Sequence, residues 1–229
     1  MKLVFIHGSG SSSLSFYYQL RHFRNSKALD LPGHPSGAPC TSINGYLEWV
    51  RGFNTARRYK DVVLCGHSMG GAIALQYALQ YPNEIRGLIL LGTGAKLRVR
   101  QEYLDQCREP GPNNSEWLQH QENYFQGVES DIQKVMMMRA SEIGPAVELN
   151  DLLSCDSFDV MSQLSGIDLP TLVMCGDQDT MTPIKYSDYL TNNIKDAKQH
   201  IIDQARHFAQ LQNYRQVNGF IEEFLVSLK

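Results

Sequence analysis

Ser68 lies in the hexapeptide Gly66-His67-Ser68-Met69-Gly70-Gly71, between a strand-like run, Asp61-Val62-Val63-Leu64-Cys65, and a helix-like run, Ala72 to Leu79. An isolated serine hydroxyl is a weak nucleophile. The spacing G-x-S-x-G across a strand-to-helix turn changes this, because the turn lifts the hydroxyl above the sheet edge. Such a turn pinches the serine backbone, so the residues two before and two after it must lack side chains that would collide. Gly66 and Gly70 occupy those positions. The helix beyond Ser68 would aim backbone N–H groups and a positive dipole at a developing oxyanion.

A nucleophilic serine needs a base and an acid that orients it, and the C-terminal third supplies both. Thr171-Leu172-Val173-Met174-Cys175 reads as a strand, followed by the turn Gly176-Asp177-Gln178-Asp179. Gln199 to Asp203 reads as a short strand leading into Gln204-Ala205-Arg206-His207-Phe208, expected to open the C-terminal helix. His207 is the candidate base. Asp177 and Asp179 compete as orienting acid, one to hold the imidazole and the other to cap the turn or the next helix.

These segments together resemble the α/β-hydrolase superfamily, in particular its compact esterase, thioesterase and lactonase-like members. Leu3-Val4-Phe5-Ile6-His7-Gly8-Ser9-Gly10 is similar to the family's first strand and His-Gly oxyanion loop, and Leu29 to Ser36 to its D-x-x-G-x-G-x-S segment. Gly176 to Asp179, with Pro183 beyond, resembles its G-x-x-D acid turn. The resemblance covers almost the whole chain, and the order Ser68, Asp179, His207 is the superfamily's triad order. Its spacing favours Asp179 over Asp177. It implies an oxyanion hole from the backbone N–H groups of Ser9 and Met69, a structural role for His7, and a variable position at His67. Two departures stand out. Pro35 replaces a second glycine, so that loop is expected to take its own path, and the two antiparallel strands that often precede the His-Gly strand are missing or trimmed.

Alternating strand-like and helix-like runs predict an α/β fold, a mostly parallel twisted sheet with helices on both faces. Strands are expected near 2–6, 26–30, 61–66, 85–91, 170–176 and 198–203, and helices near 13–24, 41–58, 71–81, 183–194 and 207–228. From Gly94 to Ser165 the alternation stops, and helical pieces are broken by Glu109 to Asn114 and by Gly144-Pro145. A stretch this long is an insertion rather than a loop. The expected organisation is a core of residues 1–93 and 166–229 with a helical cap, 94–165, over the sheet edge where ligands bind.

The 229 residues suffice for one large core, and 42% hydrophobic with 20% charged residues is ordinary for a soluble globular protein. A net charge of −3 with no basic run argues against nucleic acid or anionic membrane as partner. No apolar run approaches a spanning helix, and the N-terminal one is too short for a signal peptide. Five scattered cysteines, with Cys65 and Cys175 at the ends of buried strands, read as reduced thiols and fit no zinc pattern. A cytoplasmic monomer or homodimer is the simplest expectation.

The reaction implied is ester hydrolysis through an acyl-enzyme, with thioester or lactone as variants and neither metal nor organic cofactor required. The same triad serves carbon–carbon hydrolysis, the elimination of menaquinone-pathway relatives, and acyl transfer; a receptor with the same fold is the alternative outside catalysis. Phe16, Tyr17, Trp117 and the run Val135-Met136-Met137-Met138, Met137 in particular, are candidates for an acyl pocket, with core packing the plainer reading of each. His34, in a proline-glycine loop, is expected to be solvated or at the entrance. The cap's arginines and lysines are dispersed, which favours a small, uncharged acyl group over a charged one.

Overall fold

The computed structural model describes residues 1–229. Six strands form one sheet: β1 (Lys2–Ile6), β2 (Ser26–Ala28), β3 (Val62–His67), β4 (Ile85–Leu91), β5 (Thr171–Gly176) and β6 (Ala197–Ile202). Their order is β2-β1-β3-β4-β5-β6, and every pairing is parallel. Parallel strands buried on both faces should be apolar throughout, with successive side chains alternating between the faces. Val4 and Ile6, Val62 and Leu64, Leu88 and Leu90, and Val173 join one core of 30 buried residues. Leu3 and Phe5, Val63 and Cys65, Ile89 and Leu91, and Leu172 and Met174 join a second core on the other face.

Helices close each face. Tyr46, Leu47 and Val50 of α2, Ile73 and Leu75 of α3, and Leu190 of α8 fill the first core; these helices span Ile43–Ala56, Met69–Gln80 and Ile184–Asn193. The second core takes Ala209 of α9 (Ala209–Gln212) and Val217, Ile221 and Phe224 of α10 (Tyr214–Ser227). Gln19 of α1 (Tyr17–His22) donates to the Gln210 carbonyl and the Asn218 side chain on that same side. Ser42 caps α2 by accepting from the Gly45 N–H at 3.1 Å.

The chain reverses direction across the sheet at β1, whose neighbours are β2 and β3. The carboxyl ends of β1 and β3 therefore flank the crevice where parallel sheets bind ligands. Above it, between β4 and β5, stand α4 (Gln101–Arg108), α5 (Ser115–Tyr124), α6 (Ser130–Ile143) and α7 (Pro145–Asp156). They pack around Leu104, Cys107, Trp117, Ala140 and Leu152. One carboxylate ties α7 to the sheet. Asp151, fully buried, accepts from Tyr46 Oη at 2.6 Å, His34 Nε2 at 2.7 Å and Gly10 N at 3.1 Å. Burial alone would push His34 down, but the hydrogen bond and charge of Asp151 outweigh it and hold the imidazole above its ordinary value. His34 is thus a buried structural residue, where solvation or a place at the entrance was expected.

Two further expectations are corrected. The C-terminal helix begins at Tyr214 rather than 207, because residues 203–208 form a turn held to the end of β5. Ala205 N donates to Asp177 Oδ1 at 3.0 Å and Gln178 N to the Ala205 carbonyl at 2.9 Å. Phe16 points into the second core, stacked on Phe5 at 4.7 Å between ring centroids, and is absent from the cavity around Ser68.

The glycines around Ser68 are fixed by backbone approach. A Cβ on Gly66 would lie 2.1 Å from the Gly70 carbonyl oxygen, and one on Gly70 would lie 2.1 Å from that of Ile6. Neither neighbour is a flexible side-chain end, so Gly70→Ala should lower unfolding free energy by more than about 3 kcal/mol in urea titration. Gly219→Ala, inside α10 with nothing within 4 Å of the new methyl, should instead raise it by roughly 0.5–1 kcal/mol.

Candidate active site

Ser68 sits at the bend from β3 into α3, with φ 52° and ψ −118°. That strained geometry is clamped on three sides. Ser68 N donates to the Leu91 carbonyl at 3.0 Å, and the Ser68 carbonyl accepts from Gly71 N at 2.9 Å and Thr93 Oγ1 at 2.8 Å. The N–H groups of Ser9 and Met69 donate to no backbone carbonyl. One belongs to the loop after β1 and the other is the first residue of α3, where helix geometry leaves an N–H without a partner.

His207 hangs from the turn after β6. Its Nδ1 lies 2.9 Å from Asp179 Oδ2 in the turn after β5. Asp179 is buried and its oxygens are saturated: Oδ1 accepts from Met181 N at 2.8 Å and Thr182 N at 2.9 Å, and Oδ2 also from Thr182 Oγ1 at 2.8 Å. Burial works against its charge, but the neighbouring His207 and the Thr182 donors win and bring it down to about 2. Asp177 accepts the Ala205 N–H instead and so anchors the histidine's turn. Gly176 makes this approach possible, since a Cβ there would meet the Ala205 carbonyl at 2.2 Å. Ser68 and His207 line the same cavity. The serine hydroxyl has no protein hydrogen-bond partner, as is common where such contacts tighten only around substrate.

The two histidines flanking the serine are held neutral. His7 Nδ1 donates to the Gly8 carbonyl and Nε2 accepts from Leu31 N, fixing the loop after β1. Burial, with His34 nearby, pushes His7 down to about 3. His67, at the variable position of the motif, has a defined contact the sequence does not reveal. Its Nε2–H donates to the His207 carbonyl at 2.9 Å, and burial with the adjacent His207 holds it down at about 3.

The cavity around Ser68 is lined by Leu97, Val99, Tyr103, Leu152, Cys155, Met181 and Tyr186, with the exposed Arg98 at its rim. Trp117 and Met137 are absent from it. Trp117 is buried among α4, α5 and α7, and Met137 packs beside Phe125, Met136 and Phe208. Tyr17 belongs to that same cluster rather than to the cavity. Over His207 opens a polar vestibule of about 360 Å³, including Glu102, Gln106, His120, Asn123 and Arg206.

Glu148 of α7 faces the cavity on its inner side, buried, with Oε2 accepting from Trp117 Nε1 and Gln121 Nε2. Burial is the main cause that raises its carboxyl to about 7. The sequence does carry a signal for it. Glu148, Asp151, Leu152 and Cys155 share one helix face at spacings of three, four and seven, so two carboxylates fall on an apolar stripe.

Residues 3–220 match the model of the alpha/beta hydrolase family, and the chain belongs to that family. Among solved structures, a lipase-esterase related protein from Clostridium acetobutylicum superposes with a TM-score of 0.82 at 26% identity, covering 97% of this chain and 93% of that one. A thermophilic esterase superposes with a TM-score of 0.85 at 27% identity, covering 99% and 90%. The pimeloyl-[acyl-carrier protein] methyl ester esterase of Neisseria meningitidis serogroup B is 24% identical over 230 residues, covering 90% of this chain and 85% of that protein. The fold and these similarities define an esterase-like hydrolase. No helix is long and apolar enough to cross a membrane.

The raised Glu148 carboxyl has a consequence for stability. Unfolded, it loses its proton near 4.5; folded, it keeps it until about 7. Its contribution is present below the lower value and lost as pH rises through the upper one. Glu148→Gln should therefore gain on wild type between pH 4.5 and 8, by on the order of 3 kcal/mol in chemical denaturation. A difference that stays flat across this range would show that the carboxyl titrates normally.

Proposed function

We propose that the protein hydrolyses carboxylic esters of small, uncharged acyl groups through an acyl-enzyme on Ser68. The observation that carries this reading is the Asp179–His207 hydrogen bond beside a cavity shared with Ser68, with the Ser9 and Met69 amides free nearby. His207 takes the Ser68 proton as the hydroxyl oxygen bonds to the carbonyl carbon. The carbonyl electrons move onto oxygen, where the two amides receive them. Collapse expels the alcohol, which takes the proton back from His207. Water deprotonated by the same imidazole then attacks the acyl carbon, and Ser68 leaves with that proton. Asp179 fixes the tautomer and offsets the positive charge on the ring. Each oxyanion donor is worth roughly 3–4 kcal/mol in such sites.

The aliphatic wall of Leu97, Val99, Leu152 and Cys155 supports an uncharged acyl chain, since each CH₂ buried contributes about 0.8 kcal/mol. Names of similar proteins, an esterase and a methyl ester esterase among them, support ester hydrolysis.

A fluorophosphonate probe should label Ser68, and Ser68→Ala should lower kcat on p-nitrophenyl butyrate by about 10⁴ to 10⁶ with the melting temperature preserved. Retention of more than about a tenth of wild-type kcat removes Ser68 as nucleophile. Asp179→Asn should cost about 10⁴-fold, by analogy with the serine-protease case, while Asp177→Asn should cost far less. The reverse ranking reassigns the acid. An anionic ester, p-nitrophenyl hemisuccinate, should be the poorer substrate; if preferred, it overturns the uncharged-acyl reading and points to Arg98 as its partner.

A further inference from the structure

Behind the loop that follows β1, the cavity narrows to a chamber with about 20 Å³ of free space. That is room for one water-sized group. Ser9, Ser11, His67, Ser68, Gln121 and Glu148 are its polar residues beside His207, and Tyr124, Phe125, Met181 and Phe208 give it an apolar wall. Two of the lining residues each carry a buried polar atom with no hydrogen-bond partner in the protein, Ser11 Oγ and His67 Nδ1. Buried polar atoms left unpaired are costly, and two of them on residues around one small space beside Ser68 call for an occupant.

The donors and acceptors narrow that occupant to a group that both donates and accepts, a water molecule or a substrate hydroxyl. His67 is neutral and spends its single N–H on the His207 carbonyl, so Nδ1 can only accept. Ser11 Oγ can donate or accept. Gln121 spends a donor on Glu148 Oε2, beside the Trp117 N–H. A guest must therefore donate to His67 Nδ1 while accepting from Ser11. A hydroxyl does both. A carboxylate has no hydrogen to give and would face both a lone pair and Glu148. An ammonium group can accept nothing. A methyl group fits the volume and leaves both atoms unpaired.

We propose that this chamber is a subsite for one uncharged hydroxyl group of the substrate, held between Ser11 Oγ and His67 Nδ1 with Glu148 behind. This rests on the ester-hydrolase reading and deepens it, from an acyl ester to one bearing a hydroxyl close to the scissile carbonyl. The hydroxyl can sit on the acyl chain or on the departing alcohol, and matched substrates separate the two. In one arm, kcat/KM is compared for p-nitrophenyl 3-hydroxybutyrate and p-nitrophenyl butyrate. In the other, 2-hydroxyethyl butyrate is compared with propyl butyrate in a pH-stat.

In one arm the hydroxylated member should be preferred by at least about tenfold, because a site built for a hydroxyl leaves its own groups unpaired around the analogue lacking it. Ser11→Ala should bring that ratio to within about threefold of one, since a single neutral hydrogen bond can account for such a change. Glu148→Gln, which keeps the side chain's size, gives a second reading of the same ratio, and melting temperatures identify any variant that fails to fold. Ratios near one in both arms for the wild type overturn the subsite while leaving ester hydrolysis standing. A preference that survives unchanged in folded Ser11→Ala and Glu148→Gln overturns it as well. Failure to cleave any of the four esters, with no fluorophosphonate labelling of Ser68, overturns the hydrolase reading and the subsite with it.

Discussion

The close passage of three backbone segments at the end of the sheet is the constraint on which the rest depends. The β3–α3 bend runs so near the end of β1 that Gly70 has no room for a methyl beside the Ile6 carbonyl. Gly71 is likewise pressed on Thr93, whose methyl carbon would be 2.4 Å from an added Cβ. This packing holds Ser68 at a positive φ that a serine would not adopt freely. It also brings the loop after β1 against the first turn of α3. The strain at Ser68 and the close approach of these two segments thus have one origin.

Charge is distributed with equal economy. Asp179 gathers enough donors to remain ionised against its burial, while His7 and His67, equally buried but without carboxylate partners, remain neutral. His34 lies among the same loops and goes the other way because Asp151 meets it directly. Burial thus acts almost unopposed on His7 and His67, whereas at His34 a carboxylate partner outweighs it.

The sheet, the serine bend and the acid turn were legible in the chain because each is encoded locally. Apolar runs of five to seven residues, a glycine pair around a serine and a four-residue acidic turn need no knowledge of the rest of the fold. The pocket walls were not legible. Whether Phe16 faces substrate or Phe5, or Trp117 a ligand or Glu148, depends on how helices far apart in sequence come together. The misplaced start of the last helix has the same cause: contacts from Asp177 and Gln178 override the local helical preference of residues 207 and 208. Asp151 and Glu148 went unnoticed because carboxylates on helices are usually solvent-facing, although their place on an apolar face marked them out.

The Asp151 junction makes the helical segment mechanically uneven. Along α7 the segment is riveted to the loops after β1 and β2 and to helix α2 by contacts with no access to solvent, and parting them would strand buried polar groups in a dry interior. Between α5 and α6 the fastenings are of another kind: Phe125, Val128 and Met136 pack on Phe208 and Leu211, and exposed polar contacts such as Tyr18 with Glu129 and Arg206 with Gln126 surround them. One edge of the segment is therefore held by buried hydrogen bonds and the other by apolar contact, which differ in their response to temperature because apolar burial weakens on cooling.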